Sequence, residues 1–171
     1  FLPSHWIKLR NLLETDLTNS VNLIPSDWST SITFGMLITF STCFMIVGFD
    51  IGSYFVGKKF GNHLLSPISP SKTIEGVIGG LSFSIIIGAF CGYLLRWEFG
   101  ILIGIFIGVL VALFSLVGDL TESMLKRNAG LKDSGNFLPG HGGILDRIDS
   151  YLFTPAIVFY IVILLSPLIT S

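Results

Sequence analysis

Acidic side chains gather where one long apolar stretch of the chain ends and the next begins. Asp119 closes the third such stretch, and Asp146 and Asp149 stand just before the fourth. Oxygen ligands from two neighbouring helix ends suit a hard cation such as Mg²⁺, which keeps waters and substrate phosphates as its other ligands. Four basic residues lie around these acids: Lys126, Arg127, Lys132 and Arg147. Carboxylates for a metal and cations for phosphate predict phosphoryl or nucleotidyl transfer assisted by a divalent ion.

A glycine-rich segment lies between these two groups of acids. It runs from Lys132-Asp133 to Gly140-His141-Gly142-Gly143 and on to Asp146. Glycines around a histidine let the backbone approach a ligand closely and expose its N–H groups. No Gly-Lys-Ser/Thr follows, so the segment is not a P-loop. The alternative for Asp146 and Asp149 is purely structural, because the helix dipole favours acidic side chains at the start of any helix.

The residues after the third apolar stretch have helical spacing. If that helix continues past the membrane, Asp119, Glu122 and Lys126 share one face. Asn128-Ala129-Gly130 then provides a C-terminal stop. The alternative is a solvated face carrying an i,i+4 ion pair between Glu122 and Lys126. That alternative is adequate for this pair and weaker for Asp119, which directly follows an apolar run.

An earlier polar loop holds a second candidate phosphate site. Its residues Ser69, Ser71, Lys72 and Thr73 follow a Pro-containing entry. Lys72 and the three hydroxyls could hold phosphate oxygens. Alternatively, Ser71 or Thr73 caps a helix whose first turn contains Glu75, and the two interpretations are compatible. Asp50 lies before this loop. Two interpretations of it are equally supported: a site residue, or an ion-pair partner of Lys58 or Lys59.

Four charge-free stretches must position these residues, and each is long enough to cross a bilayer. They cover 32–49, 77–95, 99–118 and 151–169, and as helices they would each span roughly 27–30 Å. The chain is 51% hydrophobic and only 12% charged, which excludes an ordinary soluble domain and a disordered chain. A net charge of −1 argues against a nucleic-acid partner. The fold class predicted is an all-α integral membrane bundle of about four transmembrane helices.

The basic residues predict how this multi-pass protein is oriented. Seven of the ten lysines and arginines lie in the two long loops, at 57–73 and 120–150. The positive-inside rule therefore places these catalytic loops in the cytoplasm and both termini across the membrane. We expect two regions, an interfacial or extramembrane segment over 1–29 and a membrane-embedded domain over 30–171.

Small residues recur every four positions in the second and third stretches. The first series is Gly76, Gly80, Ser84, Gly88 and Gly92, and the second is Gly100, Gly104, Gly108 and Ala112. Such stripes let helices approach closely. Packing within the chain is the main interpretation, and a homodimer seam is the alternative.

The motifs together resemble one enzyme family over about residues 50–150. Residues 123–127 (SMLKR), 132–133 (KD) and 138–149 (LPGHGGILDRID) are similar to the signature of the phosphatidate cytidylyltransferases, or CDP-diacylglycerol synthases. Residues 69–76 (SPSKTIEG) resemble the same family's upstream motif. So do residues 50–54 (DIGSY), with Ser53 where the family more often has Ala. Family members usually have several more upstream helices, so the resemblance is to their C-terminal, motif-bearing part.

The resemblance implies a function and roles for individual residues. CTP and phosphatidic acid would give CDP-diacylglycerol and pyrophosphate in phospholipid biosynthesis, with one or two Mg²⁺ ions as cofactor. Asp119 and Asp146 would be metal ligands. Phosphate contacts would come from Lys72, Lys126, Arg127 and Lys132, with Ser69, Ser71, Thr73, Gly142 and Gly143 as further substrate-binding positions. The site would be shaped by Asp133, His141, Arg147 and Asp149, where His141 positions pyrophosphate or orders its loop.

Three other functions compete with this one. The enzyme could act on another lipid phosphate, as the archaeal CDP-archaeol synthases do, or could be a CTP-dependent polyprenol kinase. Apolar pockets discriminate weakly between lipid tails. A truncated, non-catalytic membrane subunit is the third, and the intact set of acids and cations argues against it. A transporter is disfavoured because charges cluster at span ends rather than at mid-membrane.

Overall fold

The computed structural model describes residues 2–12, 34–66, 69–94, 99–130 and 145–169. Five helices and one small hairpin make up this part of the chain. The helices are α1 (Ser4–Arg10), α2 (Phe34–Phe60), α3 (Ile74–Leu94), α4 (Gly100–Asn128) and α5 (Leu145–Ile169). The strands β1 (Leu64–Ser66) and β2 (Ser69–Thr73) lie between α2 and α3 and pair antiparallel.

The helices form an all-α membrane bundle, which confirms the predicted fold class. Three of them are long and apolar enough to cross a membrane, namely α2, α3 and α4. The fourth predicted span lies within α5, whose described apolar part is Asp149–Leu165. The two-stranded hairpin is an addition that the apolar pattern did not predict.

Two helices extend well past their charge-free stretches. Helix α2 was predicted to end at residue 49 and continues to Phe60, and α4 continues from residue 118 to Asn128 as its spacing predicted. Lys58 and Lys59 stand in the last turn of α2, and Lys126 and Arg127 in that of α4. Cations there interact favourably with the helix dipole. Gly130 has a φ of 68° just beyond α4, the left-handed conformation that stops a helix.

Helices α3 and α4 pack backbone to backbone along the two small-residue stripes. A Cβ atom on Gly88 would overlap the Gly104 carbonyl oxygen, and one on Gly104 would overlap that of Gly88. Between them, the buried hydroxyl of Ser84 donates to the Gly108 carbonyl oxygen at 2.9 Å. The small residues thus let two helices of the same chain approach closely, as the main interpretation predicted.

Replacing Gly104 with valine should weaken this contact strongly. The added carbons would meet rigid backbone rather than a side chain that can move, and overpacking of this kind costs about 3 kcal/mol. We expect a lower midpoint of thermal unfolding in detergent. Leu102→Val, at an exposed position of the same helix, is the matched control. Equal midpoints for the two variants would contradict the packing described.

Four helices meet at one end of the bundle. The hairpin joins the end of α2 to the start of α3. At the same end α4 passes the start of α5, where a Cβ on Gly118 would lie 2.5 Å from the Asp149 carbonyl oxygen. Residues from all four helices and from β2 line a common cavity there, and those of α2, β2, α4 and α5 include polar side chains.

Candidate active site

The cavity at this end of the bundle has a volume of about 580 Å³. Apolar side chains such as Phe49, Val77 and Leu116 form part of its wall. The charged residues that line it are Asp50, Lys58, Lys72, Asp119, Glu122, Lys126 and Asp149. Charges of both signs on the wall of a partly apolar cavity are suited to binding a polar, charged ligand at the edge of a membrane.

Asp119 lies at the centre of the polar contacts. Its side chain is buried, with the residue 8% exposed. One carboxylate oxygen forms an ion pair with the Lys72 ammonium group. The other accepts a hydrogen bond from the Ser150 hydroxyl at 2.9 Å. Asp119 therefore connects α4 to the hairpin on one side and to α5 on the other.

The close crossing of α4 and α5 makes the contact with Ser150 possible. Gly118 lies directly against the backbone of Asp149 and Ser150, where a Cβ atom would not fit. The Ser150 backbone N–H donates to the Asp149 carboxylate at 2.7 Å. Two acids from different helices are thus oriented at the same crossing point.

The hairpin and the start of α3 fix the backbone beside Lys72. Thr73 pairs with Leu64 of β1, and its hydroxyl accepts the Gly76 backbone N–H at 3.1 Å. Thr73 is therefore the N-cap of α3, as one of the two alternatives predicted. A His63 ring nitrogen lies 2.6 Å from a Glu75 carboxylate oxygen. This pair connects the residues just before β1 to the first turn of α3.

The electrostatic environment of Lys72 combines burial with nearby acids. Burial lowers the pKa of its ammonium group, since removal from water disfavours the charged form. The carboxylates of Asp50, Asp149 and Glu122 act in the opposite direction. The cation is held where acids surround it, as a phosphate-binding lysine beside a metal site would be.

Glu122 and Lys126 form the predicted i,i+4 ion pair, with Lys126 Nζ 3.4 Å from Glu122 Oε2. The interpretation as a solvated face is wrong for Glu122, which is only 5% exposed. This face of α4 forms a wall of the cavity instead of contacting bulk water. The helical spacing from Asp119 was the signal that placed both acids together.

Asp50 belongs to the cavity and not to a surface ion pair. It lines the cavity, and among the described residues it forms no ion pair with Lys58 or Lys59. Of the two interpretations of Asp50, the structure therefore supports a site residue over an ion-pair partner of the two lysines. Ser150 was missed altogether, because no motif marks it apart from its place beside Asp149.

The remaining predicted residues fall into three groups. Ser69 is buried in the cavity wall and Thr73 also lines it, whereas Arg127 is exposed in the last turn of α4 and is not among the lining residues. Three lie in described elements, but their side chains lie outside the description: Ser71 in β2, and Asp146 and Arg147 in the first turn of α5. Five lie in 131–144, outside the described residues: Lys132, Asp133, His141, Gly142 and Gly143.

The described part of the site offers carboxylate oxygens to a divalent cation. Within it, no three acidic, histidine or cysteine side chains converge closely enough to hold a metal ion. The carboxylates of Asp119 and Asp149 nevertheless line one cavity. Mg²⁺ binds through one or two carboxylates, with waters and substrate phosphates completing its shell. The Asp119 carboxylate can supply one such ligand, while the side chain of the other predicted ligand, Asp146, lies outside the description.

Several known proteins are similar to this chain over most of its length. A family model described as the cytidylyltransferase family matches residues 17–165. A phosphatidate cytidylyltransferase of Synechocystis sp. is 43% identical over 180 aligned residues that cover 100% of the chain. The chloroplastic phosphatidate cytidylyltransferase 4 of Arabidopsis thaliana is 41% identical over 93% of the chain. A phosphatidate cytidylyltransferase of Bacillus subtilis is 40% identical over 78% of the chain. The chain spans 61%, 42% and 50% of the lengths of these relatives, respectively.

Proposed function

This chain belongs to the cytidylyltransferase family, and we propose that it transfers the cytidylyl group of CTP to phosphatidate, giving CDP-diacylglycerol and pyrophosphate. The observation that carries the proposal is the buried Asp119 carboxylate, which lines the cavity at the end of the bundle and contacts both Lys72 and the Ser150 hydroxyl. It combines a carboxylate suited to a cation with a lysine suited to phosphate. The names of the three relatives favour phosphatidate as the acceptor.

The chemistry needs charge stabilisation more than proton transfer. An oxygen of the lipid phosphate would attack the α-phosphorus of CTP, forming a new P–O bond. The bond from that phosphorus to the bridging oxygen would break, and its electron pair would leave with pyrophosphate. A lipid phosphate is already ionised near neutral pH, so no strong base is required. Lys72 and Lys126 would bind the phosphate oxygens on which negative charge develops.

A divalent cation is part of the proposal. Asp119 would be one ligand, and Asp146, in the first turn of α5, the second. A bound Mg²⁺ would neutralise phosphate charge and polarise the reacting phosphorus. The burial of the Asp119 carboxylate in the cavity wall supports its role, and a bound cation would share its oxygens with Lys72 and the Ser150 hydroxyl.

Orientation and assembly complete the proposal. With most basic residues in the two long loops, the cavity would face the cytoplasm, from which CTP would enter. A homodimer through the Gly-rich helix faces stays a prediction, and those glycines of α3 and α4 already pack against each other within the chain.

The proposal is tested with the purified full chain in mixed micelles containing phosphatidate, CTP and Mg²⁺. We expect CDP-diacylglycerol and pyrophosphate in equal amounts, and loss of both products when EDTA removes the metal. Product from an ether-linked lipid phosphate, and none from phosphatidate, would assign the chain to the sister reaction. Release of CDP instead of pyrophosphate would indicate a kinase. If a folded chain forms no CTP-dependent product from any of these lipids, the proposed function is wrong.

A further inference from the structure

Lys58 differs from the other two lysines that line the cavity. Lys72 and Lys126 are half-buried, and each forms an ion pair with an acid of α4. Lys58 is exposed, and within the described ranges it forms no ion pair with a carboxylate. The cavity thus has an inner pair of cations beside the acids and an outer cation at its exposed edge.

Tyr54 accompanies Lys58 one helical turn earlier. The Lys58 ammonium group donates to the Tyr54 hydroxyl at 3.3 Å and lies 5.5 Å from the centre of its ring. Both residues line the cavity. The Tyr54 hydroxyl accepts from the ammonium group and keeps its own O–H for a second partner. An ammonium and a phenol side by side offer several donors to the oxygens of one phosphate.

The position of this pair along α2 places it at the level of lipid headgroups. Lys58 follows Gly35, the first residue of the apolar span, by 23 positions, or about 35 Å of helix, which exceeds the hydrocarbon thickness of about 30 Å. Phe55 and Phe60 are exposed close by. Tyrosine is enriched at the membrane interface, and a lysine there extends its charge toward the headgroups, which matches the exposed Tyr54 and Lys58.

We propose that Lys58 and Tyr54 form the subsite for the phosphate of the lipid substrate. This inference rests on the proposed function, which requires two phosphate-bearing substrates in one cavity. The lipid phosphate would reach the outer pair from the bilayer without leaving headgroup depth. The inner lysines, Lys72 and Lys126, would remain for the phosphates of CTP, next to the acids.

The subsite would favour a phosphate monoester over a diester. A monoester such as phosphatidate carries up to two negative charges and three non-bridging oxygens, which suit the ammonium and the hydroxyl together. A diester headgroup has one charge and two such oxygens. Abundant diester phospholipids would therefore compete poorly for the site.

The test compares two neighbouring lysines of α2. In mixed micelles, Lys58→Gln should raise the KM for phosphatidate about tenfold, the loss of about 1.4 kcal/mol of binding, and leave the KM for CTP unchanged. Lys58→Arg should retain most of the phosphatidate affinity. Lys59→Gln is the matched control, because Lys59 is exposed, lies over the Phe60 ring and is not among the cavity-lining residues. Its KM values should stay within about twofold of wild type.

The outcomes separate this inference from the function on which it rests. If Lys58→Gln and Lys59→Gln change the KM for phosphatidate equally, Lys58 acts only through the general surface charge, and the proposed subsite is wrong. A raised KM for CTP alone would assign Lys58 to the nucleotide and also overturn it. If wild type makes no product, the proposed function fails. Binding of short-chain phosphatidate to the solubilised wild type and Lys58→Gln proteins then still decides the subsite, which predicts about tenfold weaker binding by the variant.

Discussion

Replacing Asp119 with asparagine should lower kcat for cytidylyl transfer by at least about a hundredfold, the scale on which single electrostatic contacts in active sites act. Asparagine keeps the size of the side chain and its contact with the Ser150 hydroxyl, but it removes the negative charge that faces Lys72. The charge is what a cation ligand must supply. Initial rates at saturating CTP and phosphatidate measure the effect.

The loss must be separated from unfolding. Removing one partner of a buried ion pair destabilises a protein, so the thermal midpoint and the elution volume of Asp119→Asn should be recorded beside wild type. We expect a folded and monodisperse variant. Wild-type turnover by such a variant would refute the role of Asp119.

Replacing Lys72 with glutamine should lower kcat/KM for CTP by about a hundredfold. The lysine is held in the cavity by the hairpin and faces three further carboxylates besides Asp119. Its loss removes a cation from the phosphate site and leaves those acids less compensated. Rates at varied CTP concentration measure the effect, and Lys59→Gln gives the baseline for losing an exposed lysine of the same region.

The two substitutions should not be additive. Because Asp119 and Lys72 contact each other, the double variant should lose less activity than the product of the single losses. Strict additivity would mean that the two side chains act independently. That result would contradict a common site built on their contact.

Most of the correct predictions about the helices came from helical periodicity in the sequence. It placed Asp119, Glu122 and Lys126 on one face, and Asn128-Ala129-Gly130 marked the stop of α4 correctly. The small-residue stripes predicted close helix approach for the same reason, since a repeat of four keeps residues on one side of a helix.

The remaining features depend on contacts between distant segments. Ser150 meets Asp119 across 31 positions, and only because Gly118 lets α5 touch α4. No local pattern reports such a crossing. The burial of Glu122 was hidden for a related reason: an i,i+4 ion pair looks the same on a solvated surface and on a cavity wall. The extension of α2 was missed because charged residues ended its apolar run before its helix ended.

We expect the Asp119 carboxylate to bind a cation that holds the phosphates of CTP. Calorimetric binding of CTP to the full chain, with Mg²⁺ and then with EDTA, tests it without requiring turnover. Wild type should bind CTP at least about tenfold more tightly with Mg²⁺, and Asp119→Asn should bind it equally weakly in both conditions. A wild-type affinity independent of Mg²⁺, or a full Mg²⁺-dependent gain in Asp119→Asn, would contradict the claim.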